Sequence, residues 1–479
     1  MVYYGKMCSF SLTKNRFFIL SFLTVYIVSL MELFLGNGLM SYLHPFDYDS
    51  FMDLFSMAAS PYNTTYPPLS MIPFKLLHMI KPDLSNVMLR MNSYGAFYLM
   101  LYMFSFVAIF LFTIFFTVQG DSKRKMFYSV LFLFSGIMLW TIERANVMSF
   151  AFLFSLLFVV FYTSEDESKI RISYILLALA ISLKLYPGIF ILLLVEKKDW
   201  KGILSVVLYT GILFVASYIT CMYLDFLLRI DFRFNVKKAI ILFMHFFCIF
   251  AINLAFLPFA VLVYKQKWKI FFRIFTALFC ALILLSIILW MLKIYNVFLT
   301  VKDLFSPIFK AILFGKRMTA SAEGVNVSFK NFILLTGFFL TKSKNIPPEF
   351  IFTFAKTICL IIGIFTFAFS KEMWKKLASL SLLCAYIPDF SGTYLLVYMI
   401  IPTLFFINDR TESKLNYIAA FLLATITTFM IVPYKVNLDT YYKITGSFIV
   451  MVYSAFLLYS ILFLEATRNF IKSKKLKKQ

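Results

Sequence analysis

The sequence predicts an all-α protein that crosses a membrane many times. Of its 479 residues, 62% are hydrophobic and only 14% are charged, and the mean hydropathy is +0.86. Because an ordinary soluble domain carries about 25% charged residues, most of this chain must use lipid as its solvent. Apolar runs of spanning length also alternate with short polar loops from end to end, which favours a single integral membrane domain over residues 1–479.

The apolar runs follow one another in a regular order. A basic N-terminus without a small-residue cleavage signal precedes the first run, so we expect a retained signal anchor. The runs that are long enough or nearly long enough to cross a bilayer lie at 16–36, 94–118, 126–141, 147–162, 202–224, 239–263, 270–294, 349–370, 393–408, 414–434 and 443–466. Shorter runs at 171–183, 186–195 and 377–387 fit broken or tilted helices, for a total of about fourteen segments.

The positive charge predicts the orientation of these segments. The net charge is +23, but the bases lie in short loops between apolar runs, as the positive-inside rule requires, so we expect no nucleic-acid partner. With both termini in the cytoplasm, one side receives basic loops throughout, namely QGDSKRK, SEDESKIR, EKKDWK, KQKWK, SKEMWKK, NDRTESK and the tail at 467–479. The external side then receives two long loops, 37–93 and 295–348, in which we expect interfacial helices.

The first external loop contains three aspartates within HPFDYDSFMDLF, namely Asp47, Asp49 and Asp53. Asp49 and Asp53 are four residues apart and share a face if this piece is helical. These acids either take part in chemistry or simply solvate the loop and cap a short helix. The motif DYD could hold a divalent cation, and His44 lies close by. The six cysteines have no metal-ligand spacing and are interpreted as small hydrophobic residues.

Two bases on the external side stand at the edges of apolar runs, Arg144 and Lys184. A base at that depth costs a few kcal/mol, so it favours a partner or an anionic ligand. The alternatives are snorkelling toward the interface and, for Arg144, a local ion pair with Glu143. Tyr66-Pro67-Pro68 predicts an extended turn ahead of an interfacial helix at 70–80.

Several stretches together resemble the C-type superfamily of membrane glycosyltransferases, in particular glycosyltransferase family 87. They are DSFMDLFSMAASPYNTTYPPL, ERANVMSFAFLFSLL, LALAISLKLYPGIFILLLVEKKDW, GVNVSFKNFI and IPDFSGTYLLVYMIIP. Each piece alone is weak, and the inference depends on their order and spacing. Asp53 stands where many relatives have an aromatic residue.

The resemblance implies a GT-C-like fold and an enzyme that takes mannose or another hexose from a polyprenyl-phosphate donor. It implies action on the external face of a bacterial plasma membrane, a glycan or glycolipid acceptor, and a role in a cell-envelope polysaccharide. Among the acids it implies Asp49 as the general base, with Asp53 and then Asp47 as second and third choices. Such donors carry no nucleotide diphosphate, so we expect no metal and no other cofactor.

The resemblance also implies roles for bases and polar residues. Arg144 and Lys184 are the first candidates for the donor phosphate, and Lys316 and Arg317 are the next. Candidates for contacts with the sugar or with other substrate groups are Tyr62, Tyr66, Glu143, Asn146, Asn326 and Ser328.

Two other classes of protein remain open at this stage. A polysaccharide polymerase or ligase acting on lipid-linked glycans needs similar external cations. A transporter or flippase is disfavoured because the halves show no inverted repeat and the charged candidates gather at one face.

Overall fold

The computed structural model describes residues 13–35, 54, 66–80, 93–229, 254, 256–274, 276–278, 328–341, 349–388, 393–428, 437–438, 442–443 and 446–476. Within these ranges the chain is helical, apart from a two-residue antiparallel pair of strands, so the all-α prediction is confirmed there. Lipid offers no hydrogen-bonding partner to a backbone, which is why the apolar runs become helices.

The described residues of the N-terminal part form five helices. These are α1 (Lys14–Leu35), α2 (Pro68–Ile80), α3 (Ser93–Thr117), α4 (Ser122–Leu133) and α5 (Gly136–Arg144). The sequence predicts one segment at 126–141, but α4 and α5 meet at an angle of 56°. The break falls at Ser135-Gly136, where the Ser135 hydroxyl donates a hydrogen bond of 2.7 Å to the carbonyl of Phe132. Such Ser-Gly pairs are a known cause of sharp kinks.

The middle part, from residue 148 to residue 229, forms four α-helices and one 3-10 helix. They are α6 (Met148–Tyr162), α7 (Glu167–Leu183), the 3-10 helix Tyr186–Ile191, α8 (Leu192–Glu196) and α9 (Trp200–Arg229). The predicted short run at 186–195 is therefore a broken helix. Helical residues also occur at 256–264 and 268–274.

The C-terminal part contains α10 (Phe329–Thr341), α11 (Glu349–Phe369), α12 (Met373–Tyr386), the 3-10 helix Thr393–Met399, α13 (Ile400–Asn408), α14 (Lys414–Thr428) and α15 (Gly446–Leu476). The strand pair lies between the last two helices, with β1 (Asn437–Leu438) antiparallel to β2 (Tyr442–Lys443). The ends of α11 and α6 agree closely with the apolar runs at 349–370 and 147–162.

The centre of the molecule is formed by α6, α12 and α13, whose side chains are buried on most sides. The helices around them expose large apolar side chains, among them Phe104 (79%), Phe112 (64%) and Phe354 (66%). Such a large exposed apolar surface would promote aggregation in water. It is normal on the lipid-facing side of a membrane domain.

Five described helices are long and apolar enough to cross a membrane, and a sixth span follows if the bent pair α4–α5 counts as one. The spanning windows are Lys14–Met31, Met100–Thr117, Trp200–Asp225, Phe350–Phe369 and Ile449–Lys475. Shorter apolar helices lie between them. The total number of segments and the side on which the termini lie stay predictions.

Five of the basic loops that the charge pattern assigns to one side meet in the structure. We call this the basic-loop face and define it by residues 119–125, 164–171, 196–201, 370–376 and 408–414. Contacts between these loops or with neighbouring helix ends are Lys14 with Asp409 at 3.3 Å, Lys375 with Glu372 at 3.0 Å and with Glu465 at 2.5 Å, Lys376 with Glu196, and Tyr174 with Asp199 at 2.6 Å.

The Asp409 carboxyl on this face is favoured in its ionised form. Burial raises the pKa of its carboxyl, but hydrogen bonds from Thr411 and the nearby Lys14 ammonium bring the pKa below its ordinary value. At neutral pH the Asp409 carboxylate therefore carries a negative charge opposite Lys14 at this end of α1.

Helices α11 and α12 pack closely at Gly363. The Ser379 hydroxyl donates to the Gly363 carbonyl at 2.8 Å, and a Cβ at Gly363 would lie 2.6 Å from the methyl carbons of Leu383. Only a residue without a side chain fits this crossing.

We expect Gly363→Ala to lower the free energy of unfolding by about 1–3 kcal/mol, because it overpacks the crossing. Gly211→Ala is the matched control, since Gly211 also lies in a spanning helix and a Cβ there would meet nothing within 4 Å. The control should be neutral or slightly stabilising. Thermal unfolding of both variants in detergent measures the difference, and equal melting temperatures would contradict the packing argument.

Candidate active site

Two candidate residues from distant parts of the sequence meet at a third, Tyr66. The Lys184 ammonium lies over the Tyr66 ring, 3.7 Å from its centroid. The Asn146 side-chain amide donates a hydrogen bond of 3.1 Å to the Tyr66 hydroxyl. The structure thus brings Tyr66, Asn146 and Lys184 together, and we call this group the Tyr66 cluster.

The Tyr66-Pro67-Pro68 segment is held against two helices by hydrogen bonds to its backbone and to the first turn of α2. The Ser70 hydroxyl donates to the carbonyl of Leu183 at 2.5 Å, and the Cys221 thiol donates to the carbonyl of Pro68 at 3.3 Å. Proline fits the first turn of a helix because its missing N–H has no intrahelical acceptor there. The start of α2 is consequently fixed to the end of α7 and to α9.

Lys184 reaches the cluster because α7 ends at the residue before it. Its backbone is extended (φ −150°, ψ 139°), while its N–H still donates to the carbonyl of Ala180 at 3.0 Å. Pro187 lies in the first turn of the 3-10 helix that follows. The Lys184 side chain therefore projects from a helix end, where a charge costs less than it does at mid-membrane.

The turn between α5 and α6 carries Arg144 and Asn146 on either side of Ala145. Ala145 is buried and left-handed (φ 46°, ψ 37°), a conformation that costs a non-glycine residue about 1–2 kcal/mol. The Asn146 side-chain oxygen accepts from the N–H of Met148, the first residue of α6, at 2.9 Å. Strain of this kind persists where the surroundings enforce it, which is common at functional sites.

A second layer of hydrogen bonds fixes the Asn146 backbone. The Ser149 hydroxyl donates to the Asn146 carbonyl at 2.5 Å, and the Tyr102 hydroxyl lies 2.6 Å from the Ser149 hydroxyl. Asn146 itself is only 2% exposed. Its amide orientation toward Tyr66 is thus determined by the turn rather than by solvent.

The electrostatic character of the cluster is cationic. Arg144 lies two residues before Asn146, and Lys184 stacks on the electron-rich face of Tyr66. A cation–π contact orients an ammonium without neutralising its charge. Glu143 is half-buried next to Arg144. The arrangement can hold an anionic group such as a phosphate close to an aromatic ring suited to a sugar.

The remaining candidates fall into two groups. Ser328 is buried at the start of α10, beside Phe329, whose ring lies 5.9 Å from that of Tyr386. Its role stays a prediction. The other candidates lie outside the described residues, namely His44, Asp47, Asp49, Asp53, Tyr62, Lys316, Arg317 and Asn326. Among the described residues no three His, Cys, Asp or Glu side chains group to hold a metal ion.

Sequence reasoning missed a partly buried ion pair between α2 and α9. Lys75 of α2 pairs with Asp225 near the end of α9, and Lys75 is 3% exposed. A lone lysine within an apolar helix is the signal that could have found it, because such a residue requires a partner. The pair joins the middle of α2 to α9, the helix whose Cys221 also holds Pro68.

The described helices define a multi-pass membrane protein. Residues 64–232 match the family model for Glycosyltransferase family 87, which confirms the resemblance that the motifs indicated. The match indicates a membrane glycosyltransferase, and the Tyr66 cluster lies entirely within the matched residues. No curated protein and no solved structure matches the chain.

The hydrogen bond between Asn146 and Tyr66 can be measured by a double-mutant cycle. We expect Asn146→Ala and Tyr66→Phe to be coupled by about 0.5–1.5 kcal/mol in the free energy of unfolding, because each removes one partner of a half-buried bond. Chemical unfolding of the two single variants and the double variant in detergent gives the coupling. Strict additivity of the two single effects would mean that the bond contributes nothing.

Proposed function

We propose that this protein transfers mannose or another hexose from a polyprenyl-phosphate donor to a glycan or lipid-linked acceptor on the external face of the membrane. The observation that supports this most directly is the convergence of Lys184 and Asn146 on Tyr66, beside Arg144 and within the residues similar to family 87. A donor anchored in lipid presents its phosphate at the membrane edge, which is where helix ends can carry cations.

The reaction is a direct displacement that inverts the anomeric carbon. The acceptor hydroxyl oxygen attacks that carbon and forms the new glycosidic bond. The bond between the anomeric carbon and the phosphate oxygen breaks, and the electron pair leaves with the polyprenyl phosphate. The acceptor proton passes to a carboxylate, so the products are the glycosylated acceptor, the lipid phosphate and a protonated base.

In this proposal the cations act on the leaving group. Arg144 and Lys184 hold the donor phosphate and stabilise the charge that develops as it departs. Arg144 offers a planar fork to two phosphate oxygens, and Lys184 supplies a point charge that Tyr66 orients. Lys316 and Arg317 of the second external loop are proposed to complete the phosphate site.

The carboxylates of the first external loop act on the acceptor. Asp49 takes the acceptor proton, a contribution typical of general bases at about 10²–10⁴-fold in rate. Asp53 raises the pKa of Asp49 by charge repulsion or holds the acceptor, and Asp47 is the third choice. Tyr66 already takes part in the cluster, and Tyr62, Glu143, Asn146, Asn326 and Ser328 are proposed to contact the sugar or the acceptor.

The predicted topology supports an external location for this chemistry. The basic loops meet on one face, and the residues of the Tyr66 cluster lie at the opposite ends of the same helices, since α6 runs from Met148 beside the cluster to Tyr162 beside Lys197. If the basic-loop face is cytoplasmic, the cluster faces outward, as a bacterial plasma-membrane enzyme of cell-envelope polysaccharide synthesis requires.

We expect Asp49→Asn to lower kcat by about 10²–10⁴-fold, because the acceptor proton loses its base. The assay supplies purified protein with labelled polyprenyl-phosphate sugars and candidate acceptors and measures transfer. Asp53→Asn is the control and should retain more activity than Asp49→Asn. Full turnover by Asp49→Asn would show that Asp49 is not the general base. A wild type that consumes no lipid-linked sugar would contradict the proposal of a polyprenyl-phosphate donor.

We expect Lys184→Met to lower kcat by about 10²–10³-fold in the same assay, because one stabilising cation at the leaving phosphate is lost. Lys197→Met is the matched control. Lys197 also places its ammonium over a tyrosine ring, 4.5 Å from the centroid of Tyr162, but on the basic-loop face. Equal losses in the two variants would indicate a general effect on folding, and unchanged transfer by Lys184→Met would exclude its role at the phosphate.

A further inference from the structure

A second site of ligand-binding character lies on the basic-loop face, far from the Tyr66 cluster. It is a groove of about 470 Å³ between the first turns of α1 and α4. Its walls are formed by Thr13, Asn15, Arg16 and Ile19 from one side and Lys123, Arg124, Phe127 and Tyr128 from the other. The proposed transfer reaction makes no use of it.

The lining of this groove is cationic. Arg16, Lys123 and Arg124 line it, and none of the described residues that line it is acidic. Three carboxylates of the described chain lie nearby without lining the groove: Asp121 accepts from the N–H of Arg124 at 2.9 Å, Asp409 accepts from the Lys14 ammonium at 3.3 Å, and Glu412 accepts from the backbone N–H of Lys14 at 3.3 Å. The charge of the groove therefore suits an anion.

Described residues hold the Arg124 side chain in place. The Arg124 guanidinium donates to the carbonyl of Ile407 at 3.1 Å and lies 5.8 Å from the centroid of the Tyr128 ring. Gly120 (φ +119°) makes this possible, since a Cβ there would lie 2.9 Å from the Arg124 side chain. A fixed guanidinium loses little conformational entropy when it binds an oxyanion.

The groove continues into an apolar surface along the membrane-spanning part of α1. Ile19 and Phe127 line its inner end, and Leu20, Leu23 and Val130 are 51%, 44% and 45% exposed on the same two helices. The groove therefore places cations at a helix end next to an exposed apolar surface. This arrangement matches the headgroup and acyl-chain regions of one leaflet of a bilayer. A free anion would contact only the cations, whereas a lipid would contact both the cations and the apolar surface.

We propose that this groove binds an anionic glycerophospholipid of the leaflet at the basic-loop face. The headgroup phosphate lies between Arg16, Lys123 and Arg124, and the acyl chains run along Ile19 and Phe127 toward the exposed surfaces of α1 and α4. The bound lipid joins the start of α1 to α4, and so it stabilises the folded protein by mass action.

The test compares lipid binding by the purified full-length protein using native mass spectrometry with phosphatidylglycerol or phosphatidylcholine. Wild type should retain phosphatidylglycerol in preference to phosphatidylcholine. The double variant Arg16→Gln with Lys123→Gln should bind phosphatidylglycerol about 30-fold more weakly, because two interfacial charges are lost. Arg124 is left intact because its hydrogen bond to Ile407 supports the fold.

The matched control is the double variant Lys169→Gln with Lys201→Gln, which removes two exposed bases of the same face outside the groove. It should keep wild-type preference, and a charge-retaining variant, Arg16→Lys with Lys123→Arg, should keep most of it. Equal losses in both glutamine variants, or a wild type without preference between the two lipids, would overturn the proposal. It would also be overturned if inorganic phosphate raised the melting temperature as much as phosphatidylglycerol vesicles do.

Discussion

Lipid as the solvent is the constraint on which the rest of this structure depends. A backbone amide surrounded by hydrocarbon has no partner except another part of the chain, so the apolar runs within the described residues close their own hydrogen bonds as helices. The same constraint moves charges to the helix ends. Cations such as Lys184 and Arg144 consequently lie where helices α7 and α5 stop.

At one of these surfaces the turns themselves are conformationally constrained. Proline residues restrict the chain before α2 and after Lys184, and a left-handed alanine separates Arg144 from Asn146. Each of these residues restricts the backbone at a point where a helix ends and a candidate site residue follows. Tyr66 joins them, since its ring meets Lys184 and its hydroxyl meets Asn146. A preorganised group of this kind needs little rearrangement to bind a charged substrate.

The opposite surface, the basic-loop face, is organised by ion pairs. Its loops carry both signs of charge and are joined by partly buried pairs, such as Lys14 with Asp409 and Lys375 with Glu465. A buried pair adds little net stability, because removing both ions from water costs about as much as their attraction returns. Breaking such a pair is costly, however, so these contacts fix which helix ends are neighbours. The cationic groove beside α1 differs from its surroundings because no carboxylate of the described chain lines it.

The sequence by itself determined the class of protein, the position of most described helices and the side-by-side meeting of the basic loops. Hydropathy over a window of spanning length and the distribution of bases are local properties, so they can be seen without a fold. The kink at Ser135 was missed because apolar residues continue on both sides of it, and no hydropathy window registers a change of direction. The three residues of the Tyr66 cluster are all separate candidates in the sequence, yet nothing in the sequence joins them.

Only the tertiary structure decided that Asn146 meets Tyr66 across 80 positions of sequence, that Lys184 stacks on the same ring, and that Lys75 pairs with Asp225. Such contacts depend on which helix ends lie side by side. That choice is made by packing between whole helices, through side chains such as Ser70 and Cys221 that no periodic pattern distinguishes from their neighbours.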